Sequence, residues 1–198
     1  MGQIKNFRFF ANYSLIAIIV SFLISCAQVG SPAGGPVDTT PPKIVKSYPE
    51  NNSVKFNGKS IVLEFDEYVQ VKDVTNQLLI SPPLDKPPEL KIKGKSVIIA
   101  FEGTLKDSTT YTFNFGSSIS DFTEGNPLDS NLFVFSTGTF LDSLSIKGKV
   151  KNILDGSVEK DIYVMLYSNL EDSVPYKNKP LYLTRTEEDG SFSINNIR

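Results

Sequence analysis

The chain has 198 residues, enough for one large or two small domains, with 20 basic and 22 acidic residues and a formal net charge of −2. That near-balance argues against a nucleic-acid-binding protein, which usually carries a strong basic excess. The sequence contains no histidine and one cysteine. This excludes histidine-based acid–base and nucleophilic catalysis, histidine zinc sites, an intrachain disulfide and any CxxC motif.

The N-terminal segment is typical of a secretory signal. Lys5 and Arg8 are followed by an almost wholly apolar run over residues 9–24, the order of charge and apolarity found in signal peptides. The run is shorter than the roughly 20 residues that a permanent membrane-spanning helix needs. A retained membrane anchor is therefore the less favoured alternative.

The apolar run ends at residues 23–26, Leu-Ile-Ser-Cys, which resembles a bacterial lipobox. The resemblance implies cleavage between Ser25 and Cys26, a diacylglycerol on the Cys26 sulfur and a further acyl chain, such as palmitate, on the new amino terminus. Several acyl chains, at about 0.8 kcal/mol per buried CH₂, make a stable anchor. The alternative is an ordinary signal peptide followed by an incidental cysteine.

The next segment is small, polar and rich in glycine and proline. Residues 27–42 show no apolar periodicity, which predicts a flexible tether rather than a packed element. Residues 26–42 would then join the lipidated cysteine to the first folded domain. The paired prolines at 41–42 favour an extended entry into the first strand.

From residue 43 onward, apolar and polar side chains alternate, as in a β-strand with one buried face. In residues 60–65, Ile61, Leu63 and Phe65 share one face. One polar face on each strand is typical of antiparallel sheets. Residues 43–140 are therefore predicted to form an antiparallel β-sandwich of about seven strands. The alternation recurs over residues 89–93, 97–101, 109–115 and 132–136.

Local signals add turns and a short helix to this sandwich. Residues 93–95, Lys-Gly-Lys, join two alternating runs and predict a tight hairpin. Four prolines between residues 82 and 88 predict a loop that cannot be a central strand. The apolar spacing within residues 70–78 indicates one or two helical turns.

A second unit is predicted over residues 142–198. Residues 162–167 form a continuous apolar strand, and residues 181–185 are predicted to pair with 191–194 across a turn at Asp189-Gly190. A unit of about four strands is marginal without disulfides or a metal. We expect a partial second β-sandwich whose remaining strands follow Arg198.

The order of these segments resembles a family of lipoproteins of Bacteroidota that carry an SbsA-type bacterial Ig-like domain. Residues 142–198 resemble the start of a carboxypeptidase-regulatory-like, transthyretin-like β-sandwich. These resemblances imply domains that space, display or bind. They do not imply a known catalytic site, a metal or a cofactor. The first resemblance rests on residues 34–42, 41–53, 63–69, 111–115 and 133–138, and the second on residues 146–150, 162–166 and 184–194.

Two groups of carboxylates are candidates for chemistry. Glu64 and Asp66 share a strand face, whereas the neighbouring Glu67 points the other way. We predict that Asp66 or Glu67 accepts hydrogen bonds from turn amides rather than forming an acid–base pair. The second group, around residues 125–127, lacks the spacing of a calcium-binding loop and favours an ordinary polar loop. Its members are Asp121, Glu124 and Asp129.

Two further patterns have both a structural and a binding interpretation. Lys91, Lys93 and Lys95 form a basic stripe, which favours an exposed edge strand protected from pairing. Tyr163 and Tyr167 lie on one face of a predicted strand, with Met165 between them. They could stack on a glycan, but packing beneath further strands is the favoured interpretation.

We expect a non-catalytic, lipid-anchored cell-envelope protein that displays β-sandwich modules for protein or glycan contact or as spacers. Its partners would be the membrane, through lipid on Cys26, and an envelope protein or glycan, but not nucleic acid. Ala27 rather than Asp follows the cysteine, which by family analogy favours the outer membrane and leaves its periplasmic or surface face undecided. The alternative is a set of accessory modules for a longer envelope hydrolase whose catalytic part follows Arg198.

Overall fold

A computed structural model describes residues 34–129 and 131–198. Its regular elements are almost all antiparallel β-strands, which confirms the predicted all-β fold class. Residues Asp38–Arg198 form one compact unit. Of the preceding unit, Met1–Val37, only residues 34–37 are described, and these contain no helix or strand.

The strands of the first half are β1 (Ile44–Tyr48), β2 (Ser60–Phe65), β3 (Val69–Val71), β4 (Leu79–Ser81), β5 (Glu89–Lys93), β6 (Ser96–Ala100), β7 (Thr110–Asn114), β8 (Ile119–Asp121) and β9 (Leu132–Ser136). The second half contains β10 (Leu144–Lys149), β11 (Tyr163–Leu166), β12 (Tyr182–Arg185) and β13 (Ser191–Ile197). Two one-turn helices, α1 (Val74–Gln77) and α2 (Val174–Lys177), lie between strands.

The first nine strands form a sandwich. One sheet has the order β1-β2-β6-β5 and the other β4-β7-β9, while β3 pairs with β8 apart from both. These orders correspond to strands A-B-E-D and C-F-G of a constant-type immunoglobulin domain. The chain order and pairing therefore confirm the predicted Ig-like sandwich.

The core consists of the inward faces of the two sheets. Aliphatic residues of β2 and β6, such as Leu63 and Ile99, face the aromatic residues of β7 and β9. Phe135 lies among these rings, with its centroid 5.8 Å from that of Phe113 and 4.7 Å from that of Phe56. Burial of each such side chain contributes about 1.5–3 kcal/mol, so these faces hold the strands in register.

Two of the edge strands, β9 and β5, carry features that limit pairing with a foreign strand. After β1, residues 52–56 run beside β9 in parallel, with Asn52 N–H donating to Val134 O at 2.7 Å and Ser136 N–H donating to Ser53 O at 2.9 Å. At the other side, β5 is the outer strand of its sheet. Lys91 and Lys93 are exposed on this outer strand, as predicted, whereas Lys95 lies in the following turn and its ammonium donates to Asp66 O. Exposed lysines discourage edge pairing.

The local predictions in the first half agree with the structure in most places. The five alternating runs correspond to β2, β5, β6, β7 and β9. The predicted hairpin is formed, with Lys93 opposite Ser96 and Gly94 at φ 62°. Of the predicted helix over residues 70–78 only α1 is helical, because its first residues belong to β3. The short strands β3, β4 and β8 were not predicted.

The pairing predicted for the second half is wrong. β12 pairs with β11 and β13 pairs with β10, so the C-terminal ribbons are β10–β13 and β11–β12. The turn itself forms, with Gly190 N–H donating to Glu187 O at 2.9 Å. Gly148 lies opposite Phe192, and a Cβ there would lie 2.6 Å from the phenyl ring. The missing side chain thus gives Phe192 a place to pack on β10, which favours that partner.

The C-terminal ribbons pack on the outer face of the second sheet. The Thr112 hydroxyl of β7 donates to Asn196 Oδ1 at 3.1 Å, and Asn196 Nδ2 donates to Asp142 O at 3.0 Å. Leu183 N–H of β12 donates to Ser81 Oγ of β4 at 3.1 Å. Sequence-distant polar groups therefore hold the second half against the sandwich.

Tyr111 fixes the chain at the start of β7. Its ring is buried and stacks on Phe135 with centroids 5.7 Å apart. Its hydroxyl accepts a hydrogen bond from Lys106 N–H at 2.9 Å, the arrangement called a tyrosine corner in immunoglobulin folds. Burial raises the pKa of Tyr111, so the phenol stays neutral.

Replacing Tyr111 with phenylalanine should lower the free energy of unfolding by about 1–3 kcal/mol, because the Lys106 amide loses its partner. Urea titration followed by circular dichroism measures this, since the sequence has no tryptophan to report by fluorescence. Tyr176→Phe is the matched control, because Tyr176 is 90% exposed. Equal stability of the two variants would contradict the role given to the Tyr111 hydroxyl.

Candidate functional site

An apolar groove of about 850 Å³ opens at the β4–β5 side of the sandwich. We call it the β4–β5 groove. Leu90 and Ile92 of β5 lie at its base, opposite Ile99 and Val97 of the core. The groove is thus the place where the core reaches the surface between the two sheets. Its walls include Leu78, Ile80, Leu84, Tyr163 and Leu183.

The loop that borders this groove is rich in proline. The loop between β4 and β5 contains Pro82, Pro83, Pro87 and Pro88. Proline has no amide hydrogen and cannot extend a strand ladder, so this loop cannot continue β4 or β5 across the gap between the two sheets. Leu84, in the middle of this loop, packs against the core and forms part of the groove wall.

Cations of the β11–β12 ribbon hold it at the groove. The Lys179 ammonium donates to Leu84 O at 2.9 Å and to Asp85 O at 3.0 Å. The Arg185 guanidinium donates to Asn76 O, just after the middle of α1, and to the Tyr163 hydroxyl at 2.7 Å. These contacts bring residues far apart in sequence to one rim.

Of the predicted aromatic pair, Tyr163 lies on β11 and is exposed, whereas Tyr167 follows β11 and is partly buried. Tyr163 is 47% exposed, and the Arg185 guanidinium lies 4.8 Å from its ring centroid. The Tyr167 hydroxyl donates to Met165 Sδ at 3.4 Å. One face of Tyr163 is therefore occupied by this chain's own cation, which leaves less of the pair for stacking on a ligand.

The three carboxylates at the end of β2 differ in their hydrogen bonds and burial. Asp66 Oδ1 accepts a hydrogen bond from Lys43 N–H at 2.8 Å, so it binds a backbone amide as predicted, but one 23 residues away before β1 rather than in its own turn. Glu67 makes no such contact in the described ranges. Burial, followed by the nearby carboxylates of Asp121 and Asp66, raises the pKa of Glu67. Glu64 is exposed on β2.

Asp121 organises the loop after β8. Its Oδ1 accepts hydrogen bonds from the amides of Thr123, Glu124 and Gly125 at 2.9, 2.6 and 3.0 Å, and its Oδ2 accepts one from Asn126 at 2.7 Å. Desolvation by burial would raise its pKa, but these four donors outweigh it and lower the pKa of Asp121 to about 2.

The loop after Asp121 is therefore held by backbone donors, which supports the polar-loop interpretation over a calcium site. Four amide hydrogens directed at one carboxylate occupy the oxygens that a cation would need. Glu124 and Asp129 are exposed. Among residues 34–129 and 131–198, no group of three acidic or cysteine side chains is placed to hold a metal ion.

The predicted lipidation site lies elsewhere. Ser25 and Cys26 fall outside the described residues, so lipidation remains a prediction. No helix within the described ranges has the length and apolar character to cross a membrane.

Comparison with protein families identifies the sandwich. A family model for the bacterial Ig-like domain matches residues 38–137, half of the chain. The chain belongs to this family. The matched Ig-like domain contains β1 to β9 and thus both sheets, the Asp121 loop and most of the β4–β5 groove.

Other comparisons add little. No curated protein matches the chain. Among solved structures, it is similar to an L,D-transpeptidase from Mycobacterium smegmatis, at 12% identity and a TM-score of 0.34. The similarity covers 74% of this chain and 77% of the other. At that level it supports no assignment of function.

Asp121→Asn should destabilise the protein at neutral pH, because an amide is a poorer partner for four N–H donors. Since the folded-state pKa of about 2 lies below the roughly 3.9 of an unfolded aspartate, this stabilisation is present above about pH 4 and is lost as the pH falls towards 2. Urea midpoints of the two proteins should therefore converge on acidification. Asp129→Asn is the control, and a pH-independent difference would contradict the assignment.

Proposed function

We propose that this protein is a non-catalytic, lipid-anchored envelope protein whose bacterial Ig-like domain is displayed for contact with another protein or a glycan. The β4–β5 groove carries this proposal, because it is a preformed apolar surface on a rigid sandwich. Such a surface binds a partner by burying apolar area, while a few polar groups orient the partner, and needs no chemical reaction. Asp66 and Asp121 are committed to backbone amides, which fits a structural role for them.

The anchor proposal rests on the lipobox-like residues 23–26 and the apolar run before them. Diacylglycerol on Cys26 would hold the chain at the outer membrane, with residues 26–42 as the tether. The Ig-like family match supports a module that spaces or binds, which agrees with display from a membrane. The sequence contains one cysteine, so lipid on a thiol can be assigned without ambiguity.

We further propose that residues 142–198 are a partial carboxypeptidase-regulatory-like sandwich. All six residues of β10 are exposed, and Met165 of β11 is also exposed. The β10–β13 and β11–β12 ribbons pack on the outer face of the β4-β7-β9 sheet, which covers one side of them. That contact supports a single stiff unit for display.

Cys26→Ser should abolish incorporation of labelled palmitate and release the protein from sedimented membranes, because the serine hydroxyl cannot form the thioether. Metabolic labelling of cells that express the full chain measures both effects. Ser31→Ala, in the tether, is the control and should be labelled like the wild-type protein. Label retained in Cys26→Ser, or absent from the wild-type protein, would refute the anchor.

A photo-reactive amino acid at Thr75, an exposed residue of the groove wall, should form a discrete adduct with an envelope component in intact cells. The same group at Ile153, which is highly exposed away from the groove, is the control. Electrophoresis followed by protease and glycosidase treatment identifies the adduct's class. The display proposal fails if Thr75 and Ile153 give the same pattern or neither gives an adduct.

A further inference from the structure

A second hollow, of about 580 Å³, lies beside the β3–β8 pair. We call it the aromatic hollow. Tyr68 and Phe122 flank it and are 62% and 68% exposed. Large apolar side chains grouped at such exposure are uncommon on a surface without a binding role. Ile92, also in the β4–β5 groove, lines it too.

The two aromatic residues are neighbours across the ribbon. Phe122 N–H donates to Tyr68 O at 3.0 Å, continuing the ladder in which Val69 lies opposite Asp121. Side chains of directly opposed residues project from the same face of a ribbon. Tyr68 and Phe122 therefore stand side by side and form a platform two rings wide.

Hydrogen-bond acceptors surround this platform. Glu67, Gln70 and Thr123 line the hollow. Gln70 Nε2 donates to Asp121 O at 2.7 Å, which fixes the amide and leaves its Oε1 as an acceptor. In the part of the chain that the structure describes, the Glu67 carboxylate and the Thr123 hydroxyl have no hydrogen-bond partner. Gly94 adds no side chain, and nothing lies within 4 Å of where its Cβ would be.

The charge of this region selects against anions. Asp38, Asp66, Asp121 and Glu124 all lie close enough to Glu67 to raise its pKa. This negative field opposes phosphates, anionic lipid headgroups and acidic polysaccharides. The Lys95 ammonium lies over one face of the Tyr68 ring, 5.8 Å from its centroid, and donates to Asp66 O. One face of this ring is thus partly covered by the chain's own cation, as at Tyr163, but Tyr68 remains 62% exposed.

We propose that the aromatic hollow binds a neutral saccharide chain, with Tyr68 and Phe122 stacking on the C–H faces of successive sugar rings. Hydroxyl donors of the sugars complement the negatively charged, acceptor-rich rim formed by Glu67, Gln70 and Thr123. An apolar peptide would instead cover these acceptors without satisfying them, which is costly. The inference rests on the proposed display function and names one ligand class for it, at a surface separate from Tyr163 and Tyr167.

Calorimetric titration of the full-length protein tests this, in a detergent whose headgroup is not a sugar. Cellohexaose, chitohexaose and mannohexaose are the probes, and at least one should bind. Tyr68→Ala and Phe122→Ala should each weaken that binding about tenfold or more, as removal of a central aromatic contact does. Glu67→Gln should weaken it several-fold. Tyr48→Ala is the control, because Tyr48 is 64% exposed on β1, outside the hollow.

Circular dichroism of each variant shows whether it is folded, so a loss of binding can be assigned to the removed ring. The inference is overturned if none of the three hexaoses binds, if both aromatic variants bind like the wild-type protein, or if a sulfated hexaose binds more tightly than the neutral ones. Palmitate labelling of Cys26 and cross-linking at Thr75 do not depend on these titrations. Failure here with both of those intact removes the saccharide site and leaves the display proposal standing.

Discussion

The burial of aromatic side chains from β7 and β9 against aliphatic side chains from β2 and β6 is the interaction on which the rest of the structure depends. The ring of Phe135 in β9 packs against Phe113 of β7 and against Phe56, which lies between β1 and β2. These contacts fix two sheets that share few backbone hydrogen bonds. The densely packed core therefore fixes the positions of loops and edge strands, which their own short sequences do not determine.

The open β4–β5 side follows from this packing. β4 and β5 belong to different sheets, and the proline-rich loop between them cannot continue either strand across the gap. In this protein the gap exposes part of the core as an apolar groove, and the β11–β12 ribbon is held beside it by Lys179 and Arg185. The same cations connect the second half of the chain to the first.

Polar groups in the first domain fall into two kinds. Asp121 and Asp66 face backbone donors and stabilise loops, so their oxygens are already occupied. Glu67 and Thr123 border exposed aromatic rings and have acceptors to offer a ligand. Ile92 lines both the β4–β5 groove and the aromatic hollow, so the two surfaces proposed for binding adjoin each other.

The sequence by itself determined the long strands, the hairpin at Gly94 and the all-β class, because alternation and turn chemistry act between near neighbours. It also indicated that Asp66 or Glu67 binds backbone amides and that β5 is an edge, but not that Asp66 would bind the distant Lys43 amide. Only the tertiary structure decided that β12 pairs with β11 rather than β13, and that Tyr68 stands beside Phe122. The physical reason is that these contacts join residues far apart in the chain, whose meeting depends on how complete sheets pack.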